Sequence, residues 1–409
     1  MKIRCAAGTV SKLLAMGTGL VLFTMCGKDR SDPEGGMPAP EPPAHIDTLY
    51  VTGVEYPAGY DWVKDQEYGT VECRLFLEKA GERIVEVPVG YSYETASDPD
   101  MHRCVDGHLY TDYSTDTETV IKRDGVTLFR YQGREVITCF HVSDSSDVYT
   151  VGRPRSGGPG FTFRMNGQEL IAVEEGKAVS CIQEKDGMVY LAYRQESRSG
   201  GAADTRPGYY LYDGTRPVLI SELSDDEEIL SVLVTDTDVI YVAGYKKWDM
   251  MQSGYLYRDG KKYPLSGEYG TLAACRILHD GEGIYLAGIC NDSMSGKYRY
   301  AVWDGSGSPV YTLTPGMIPY YSFAEGGDVY DFIQSEGVFN DISCMKNGNA
   351  FYSYGQDLSS YGNAPAAVCR DSLYFAFSDR GAGRKPCIAA DDRVRDYSFN
   401  GFFTGVSVW

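Results

Sequence analysis

Five histidines are scattered along the chain, and none stands in a spacing that would pair it with a nucleophile. His141 and His279 fall at the ends of β-like runs and His108 directly precedes Leu109, so each reads as a packing or turn residue and not as a general base. The GxSxG elbow, the HExxH helix, the Walker loop and the GxGxxG turn are all missing. Acid-rich stretches do occur at SDSSD (143–147), SDDEE (224–228) and TDTD (235–238). None has the ligand spacing of a calcium loop, and tight turns select the same residues for their own reasons. No metal and no cofactor is therefore expected, and an enzyme is the less favoured class.

Basic residues make a sharper pattern. GRPRSGGPG (152–160), RQESRSGGAADTRPG (194–208), GYKKWDMMQSG (244–254) and CNDSMSGK (290–297) together hold eight basic and four acidic residues, in a chain of net charge −19. Arg153, Arg155, Arg194, Arg198, Arg206, Lys246 and Lys247 are suited to pairing with carboxylates or sulfates. Trp62, Tyr245 and Trp248, with Tyr60, offer rings for stacking on sugars if these loops are exposed. RGAGRKP (380–386) adds to the arc, whereas the corresponding loops of the first, second and seventh units are acidic. Only an arc can be basic. The overall acidity excludes a general nucleic-acid binder and adsorption to anionic lipid through charge.

The elements that must carry these loops repeat. A tyrosine-centred cassette occurs eight times, at Tyr50, Tyr110, Tyr149, Tyr190, Tyr241, Tyr285, Tyr330 and Tyr374, the last four intervals being 51, 44, 45 and 44 residues. KRDG (122–125), RMNG (164–167), LYDG (211–214), YRDG (257–260), VWDG (302–305) and MKNG (345–348) follow the cassettes as hairpin signals. Each unit resolves into four short runs, as in LAACRIL, GIYLAGI, YRYAVW and SPVYTL. Four antiparallel strands in about 45 residues is the unit of a β-propeller blade. The predicted fold is all-β, a propeller of four-stranded blades over residues 47–409. Eight blades match the cassettes; seven stay open because the first interval is 60 residues. The terminal run GVSVW (405–409) has no partner in its own unit and is expected to pair into the first blade, removing an open sheet edge. The recurring tyrosines are expected to pack between neighbouring blades. If strands alternate, the Asp-Gly turns leave at one end of each sheet and the basic loops at the other.

At the N-terminus Lys2, Arg4 and Lys12 precede the apolar stretch LLAMGTGLVLFTM (13–25), which has the length and flanks of a secretory signal over residues 1–25. Its removal takes the net charge from −19 to −22. Residues 26–46, with five prolines and three glycines after Cys26, read as a tether. Beyond Cys26 nine cysteines remain, with no two within four positions, and they read as buried thiols.

FTMC (23–26) resembles the loose lipobox of Bacteroidetes lipoproteins, and that resemblance implies cleavage before Cys26 and its acylation. Asp29, Asp32 and Glu34 are similar to the acidic stretch that follows the cysteine in some cell-surface members. The repeat itself resembles the propeller lipoproteins of that group, whose units run VYVAG, loop, WKNG and a short apolar strand. The likeness implies export and attachment to the outer membrane, on its periplasmic or outer side, by lipid alone. Three functions follow as alternatives: a non-catalytic scaffold presenting the variable loops to a glycan or an envelope protein, a carbohydrate-active hydrolase or lyase, or a component of an envelope assembly.

Overall fold

The hairpin residues show how the strands are cut. Asp124–Gly125, Asn166–Gly167, Asp259–Gly260 and Asn347–Gly348 all have positive φ at both positions, between 49° and 81°. That is the type I′ geometry which matches the twist of the strands it joins. LYDG and VWDG turn differently. Asp213 Oδ1 accepts from Thr215 N at 3.0 Å, Thr215 Oγ1 at 2.7 Å and Arg216 N at 2.9 Å. Asp304 Oδ1 likewise accepts from Ser306 N at 2.8 Å and Ser308 N at 3.1 Å. A hydroxyl residue two places after the aspartate converts the expected two-residue hairpin into an Asx-type loop.

The computed structural model describes residues 48–62, 70–92, 102–114, 117–196, 206–222, 227–235, 238–247, 250–265, 271–281, 283–291, 298–334, 341–355, 358–360, 365–379 and 384–409. The leader, Cys26 and the tether lie outside them. The described residues form eight antiparallel sheets. Six have four strands, and in two the first strand is split into two short pieces that pair with the same neighbour, as Gly176–Ala178 and Gln183–Lys185 do with Met188–Gln195. The fold is an eight-bladed all-β propeller, which settles the choice between seven and eight. Every cassette tyrosine lies on the second strand of its blade.

The chain divides into two compact units, Thr111–Ser359 and the pairing of residues 48–110 with Ser360–Trp409. In the first unit the core lies between consecutive sheets. Val242 and Leu256 of blade 5 pack with Ile277, Leu286 and Trp303 of blade 6, and Val302 and Leu313 of blade 6 pack with Val329 and Ile333 of blade 7. A sheet buried on both faces needs apolar residues on both, which is why the second strands read as nearly continuous hydrophobic runs. Tyr285 illustrates the cassette position: its hydroxyl donates to the Gly327 carbonyl of the next blade's first hairpin at 2.6 Å.

In the second unit the terminal strand Gly401–Val408 pairs with Leu49–Glu55, in the sheet that continues through Thr70–Lys79 and Glu82–Ser92. The expected latch is therefore formed. Thr404 and Thr52 join their hydroxyls across it at 2.9 Å, and Phe76, Phe399 and Phe403 stack edge to face beside it.

Candidate functional site

In the first unit, antiparallel order sends two kinds of segment to the same end of the sheets: the loop between the second and third strands of each blade, and the connection that leads into the next blade. The sequence reading weighed only the first kind. Blade 3 ends its second strand, Val148–Pro154, with Arg153 exposed and Arg155 half-buried. Arg155 N donates to Arg134 O at 3.0 Å and Gly176 N to Pro159 O at 2.8 Å, so this loop is tied to both adjoining connections. Beneath it Arg164 donates to Glu135 Oε2 at 2.7 Å, both side chains being buried, with the Tyr131 ring 4.1 Å from the guanidinium. Gly152 is glycine for a physical reason: a Cβ there would run into the Glu135 carboxylate.

Blade 4 continues the same end. Arg194, on Met188–Gln195, lies 3.4 Å from Glu196 and 3.6 Å from Glu228 of blade 5. Glu228 also takes Lys177 at 2.9 Å. Glu227 accepts from the Tyr255 hydroxyl and from Lys262 at 3.3 Å. Arg206 is exposed, and its carbonyl accepts the Tyr210 hydroxyl at 2.6 Å. Glu174 and Glu175 are exposed on the connection between blades 3 and 4, and Glu196 N donates to Glu175 O at 2.8 Å.

Among the described residues the arginines are thus interleaved with acids from the connections, so this part of the surface is of mixed sign where the sequence predicts a basic arc. SDDEE, read as a turn, supplies two of those acids through Glu227 and Glu228. The signal was available, since strand alternation alone places these connections beside the loops. Arg198 and Trp248 lie outside the described residues. Tyr245, Lys246 and Lys247 continue the second strand of blade 5, Val239–Lys247.

Trp62 corrects an expectation. It belongs to the second unit and is 5% exposed. Its ring stacks on Tyr56 at 6.2 Å and lies 5.0 Å from Phe402, with the Arg384 guanidinium 5.8 Å away. Asn400 Nδ2 fixes this loop by donating to Pro57 O at 2.7 Å and Tyr60 O at 2.9 Å. The ring fills a core and is not available for a sugar to stack on.

At the hairpin end, His141 Nε2 lies 2.8 Å from Glu184 Oε2, joining the first strands of blades 3 and 4. His279 is half-buried, and burial holds its imidazole below the usual histidine range. It lines a 440 Å³ recess with Arg258, Gly283, Ile284, Asp304, Gly305 and Ser306. Arg258 already lies 3.3 Å from Asp259, and Asp304 is engaged by Ser306 and Ser308. Both charged groups of the recess are thus already engaged, Arg258 by an acid beside the recess and Asp304 by serine donors. Among the described residues no group of three or more His, Cys, Asp or Glu is placed to hold a metal ion, and no helix is long and apolar enough to cross a membrane. Cys73, Cys275, Cys290, Cys344 and Cys387 are buried free thiols, and burial raises all five, Cys73, Cys290 and Cys387 to about 12.

No family model and no curated protein matches the chain. Solved structures do. The chain is similar to the dihydro-heme d1 dehydrogenase NirN in complex with DHE, at 11% identity and a TM-score of 0.51 over 88% of this chain and 74% of that one. It is also similar to BamB from Moraxella catarrhalis, at 11% identity and a TM-score of 0.44 over 76% and 89%. A third is a prolyl endopeptidase, at 9% identity and a TM-score of 0.48 over 75% and 49%. The NirN likeness supports the propeller fold, and these neighbours span enzymes and other proteins.

Proposed function

We propose that the chain is a non-catalytic binding scaffold of the bacterial cell envelope, exported, anchored through acylated Cys26, and engaging a protein partner through the loop-bearing end of blades 3 to 5. The observation that carries this reading is Arg194 held between Glu196 and Glu228, with Lys177 on the same Glu228 carboxylate. A polyanionic glycan approaching Arg153 or Arg206 would also meet Glu174, Glu175 and Glu196. A protein surface can match both signs at once, and complementary charge of this kind sets register and selectivity more than raw affinity. Loops on a rigid sheet scaffold are also where binding usually resides, and the blade 3 loop is tied down by backbone hydrogen bonds at 2.8 to 3.0 Å. The leader, the FTMC stretch and the proline-rich tether support the proposed address.

The test is site-specific photo-crosslinking in cells, with the probe at Arg153, at Arg206, or at Lys261 on the opposite end of the sheets. Adducts of discrete mass from the first two positions and none from Lys261 are expected. Adducts from Lys261 alone, or binding of purified chain to acidic polysaccharide that R153A/R206A abolishes, would overturn the reading.

A further inference from the structure

Between blades 6 and 7 the apolar core is interrupted by one carboxylate. Asp331, on Asp328–Gln334 of blade 7, has no exposed surface. Its Oδ1 accepts the Tyr300 hydroxyl at 2.8 Å and its Oδ2 the Tyr311 hydroxyl at 2.5 Å. Tyr300 and Tyr311 come from the third and fourth strands of blade 6, Tyr298–Asp304 and Pro309–Thr312. Tyr300 is also 3.0 Å from Ser322 Oγ on Pro319–Glu325 of blade 7. Arg276, from the first strand of blade 6, donates to the Ser322 carbonyl at 3.1 Å. Neighbouring residues are Tyr321 on Pro319–Glu325 and Cys344 on Ile342–Lys346.

From this geometry we infer that Asp331, Tyr300 and Tyr311 form a proton-operated clasp, which holds blades 6 and 7 together most tightly when the carboxyl is protonated. The ionised form receives both phenol hydrogens but carries a charge cut off from bulk solvent, a cost that two hydroxyl donors offset only in part. In the protonated form Asp331 gives its hydrogen to the Tyr300 oxygen, and Tyr300 turns its own toward Ser322 Oγ. Every donor then keeps an acceptor and no charge is buried at the carboxyl. Burial raises the Asp331 carboxyl against the opposing pull of Tyr311, Ser322, Tyr300 and Arg276. It raises Tyr300, Tyr311 and Cys344 as well, so those three stay protonated and Asp331 is the group that titrates.

The sign follows from that direction. A carboxyl raised in the folded state stabilises the junction fully below the unfolded carboxylate range, about pH 4. That contribution is lost as pH rises through the folded value.

Backbone hydrogen exchange of Pro309–Thr312 and Pro319–Glu325, corrected for intrinsic rates, tests the clasp across pH 4.5 to 7.5 in the full chain. Local opening is expected to rise with pH by up to about tenfold per unit, the limit for one titrating group. In Asp331→Asn the rise should vanish. In Tyr311→Phe it should continue to higher pH, because the ionised carboxylate loses a donor. Flat exchange in the wild type overturns the inference, as does an unchanged slope in D331N. Should D331N fail to fold, a rise in Y311F that levels off at or below the wild-type pH does the same.

Discussion

Asn166 and Asn347 occupy turns where other blades carry aspartate, and in blades 3 and 7 each supplies a donor to an acid at the start of the second strand. Asn166 Oδ1 accepts from Val148 N at 2.9 Å while its Nδ2 donates to Asp147 Oδ1 at 2.7 Å. Asn347 repeats this with Val329 N at 2.9 Å and Asp328 Oδ1 at 2.7 Å. Where serine precedes the second strand, as in blade 8, aspartate suffices, and Asp391 Oδ1 accepts Leu373 N at 2.9 Å. N166D and N347D keep the acceptor, lose the donor and bring two carboxylates together. Each should cost about 1 kcal/mol, the typical worth of one hydrogen bond, read as a shift in a urea midpoint. D391N keeps the Oδ1 acceptor for Leu373 N and should be close to neutral. The Asn-Gly pairs are visible as turns in the sequence, but their second role depends on a residue about 19 positions earlier in the chain. Trp62 escaped the same reading because Phe402, which packs against its ring, comes from the other end of the chain. Trp62→Ala is accordingly expected to cost about 3–5 kcal/mol of stability, measured by denaturation, without a change in partner recognition.

Repeating strands were legible in the sequence because they obey local rules. All eight cassettes fall on second strands, since a tyrosine flanked by β-branched residues fits a strand packed on both faces wherever it recurs. Electrostatics at the loop end were not legible in the same way. Glu135 is 29 residues from Arg164, and Lys177 is 51 residues from Glu228, so neither pair shows in a local window. Gly152 marks where such a pair is seated. Gly152→Ala should push the Glu135 carboxylate off Arg164 and leave a buried guanidinium without its partner. Removing one partner of a buried pair costs about 3–5 kcal/mol, and a fall of that order in thermal or urea stability is expected. A G152A chain as stable as wild type would mean that the pair shifts intact.

Through the sheets of the molecule, five buried cysteines should be chemically quiet. Thiols held near 12 or above are almost entirely protonated at pH 8, and the thiolate is the reactive form. Cys73, Cys275, Cys290, Cys344 and Cys387 should resist a thiol reagent in the folded chain and react together once urea unfolds it. A folded chain that consumes reagent at these five positions would contradict their burial. Cys26→Ser should move the protein from the membrane to the soluble fraction and abolish labelling by a fatty acid.

Thr52 and Thr404 touch although 352 residues separate them. A ribosome therefore makes three strands of the first blade long before it makes the fourth, and any product that stops short of Gly401 leaves that sheet with a raw edge of unmet amide and carbonyl groups. Chains that lack the eight-residue strand Gly401–Val408 should therefore be cut by protease under conditions where chains that carry it are spared.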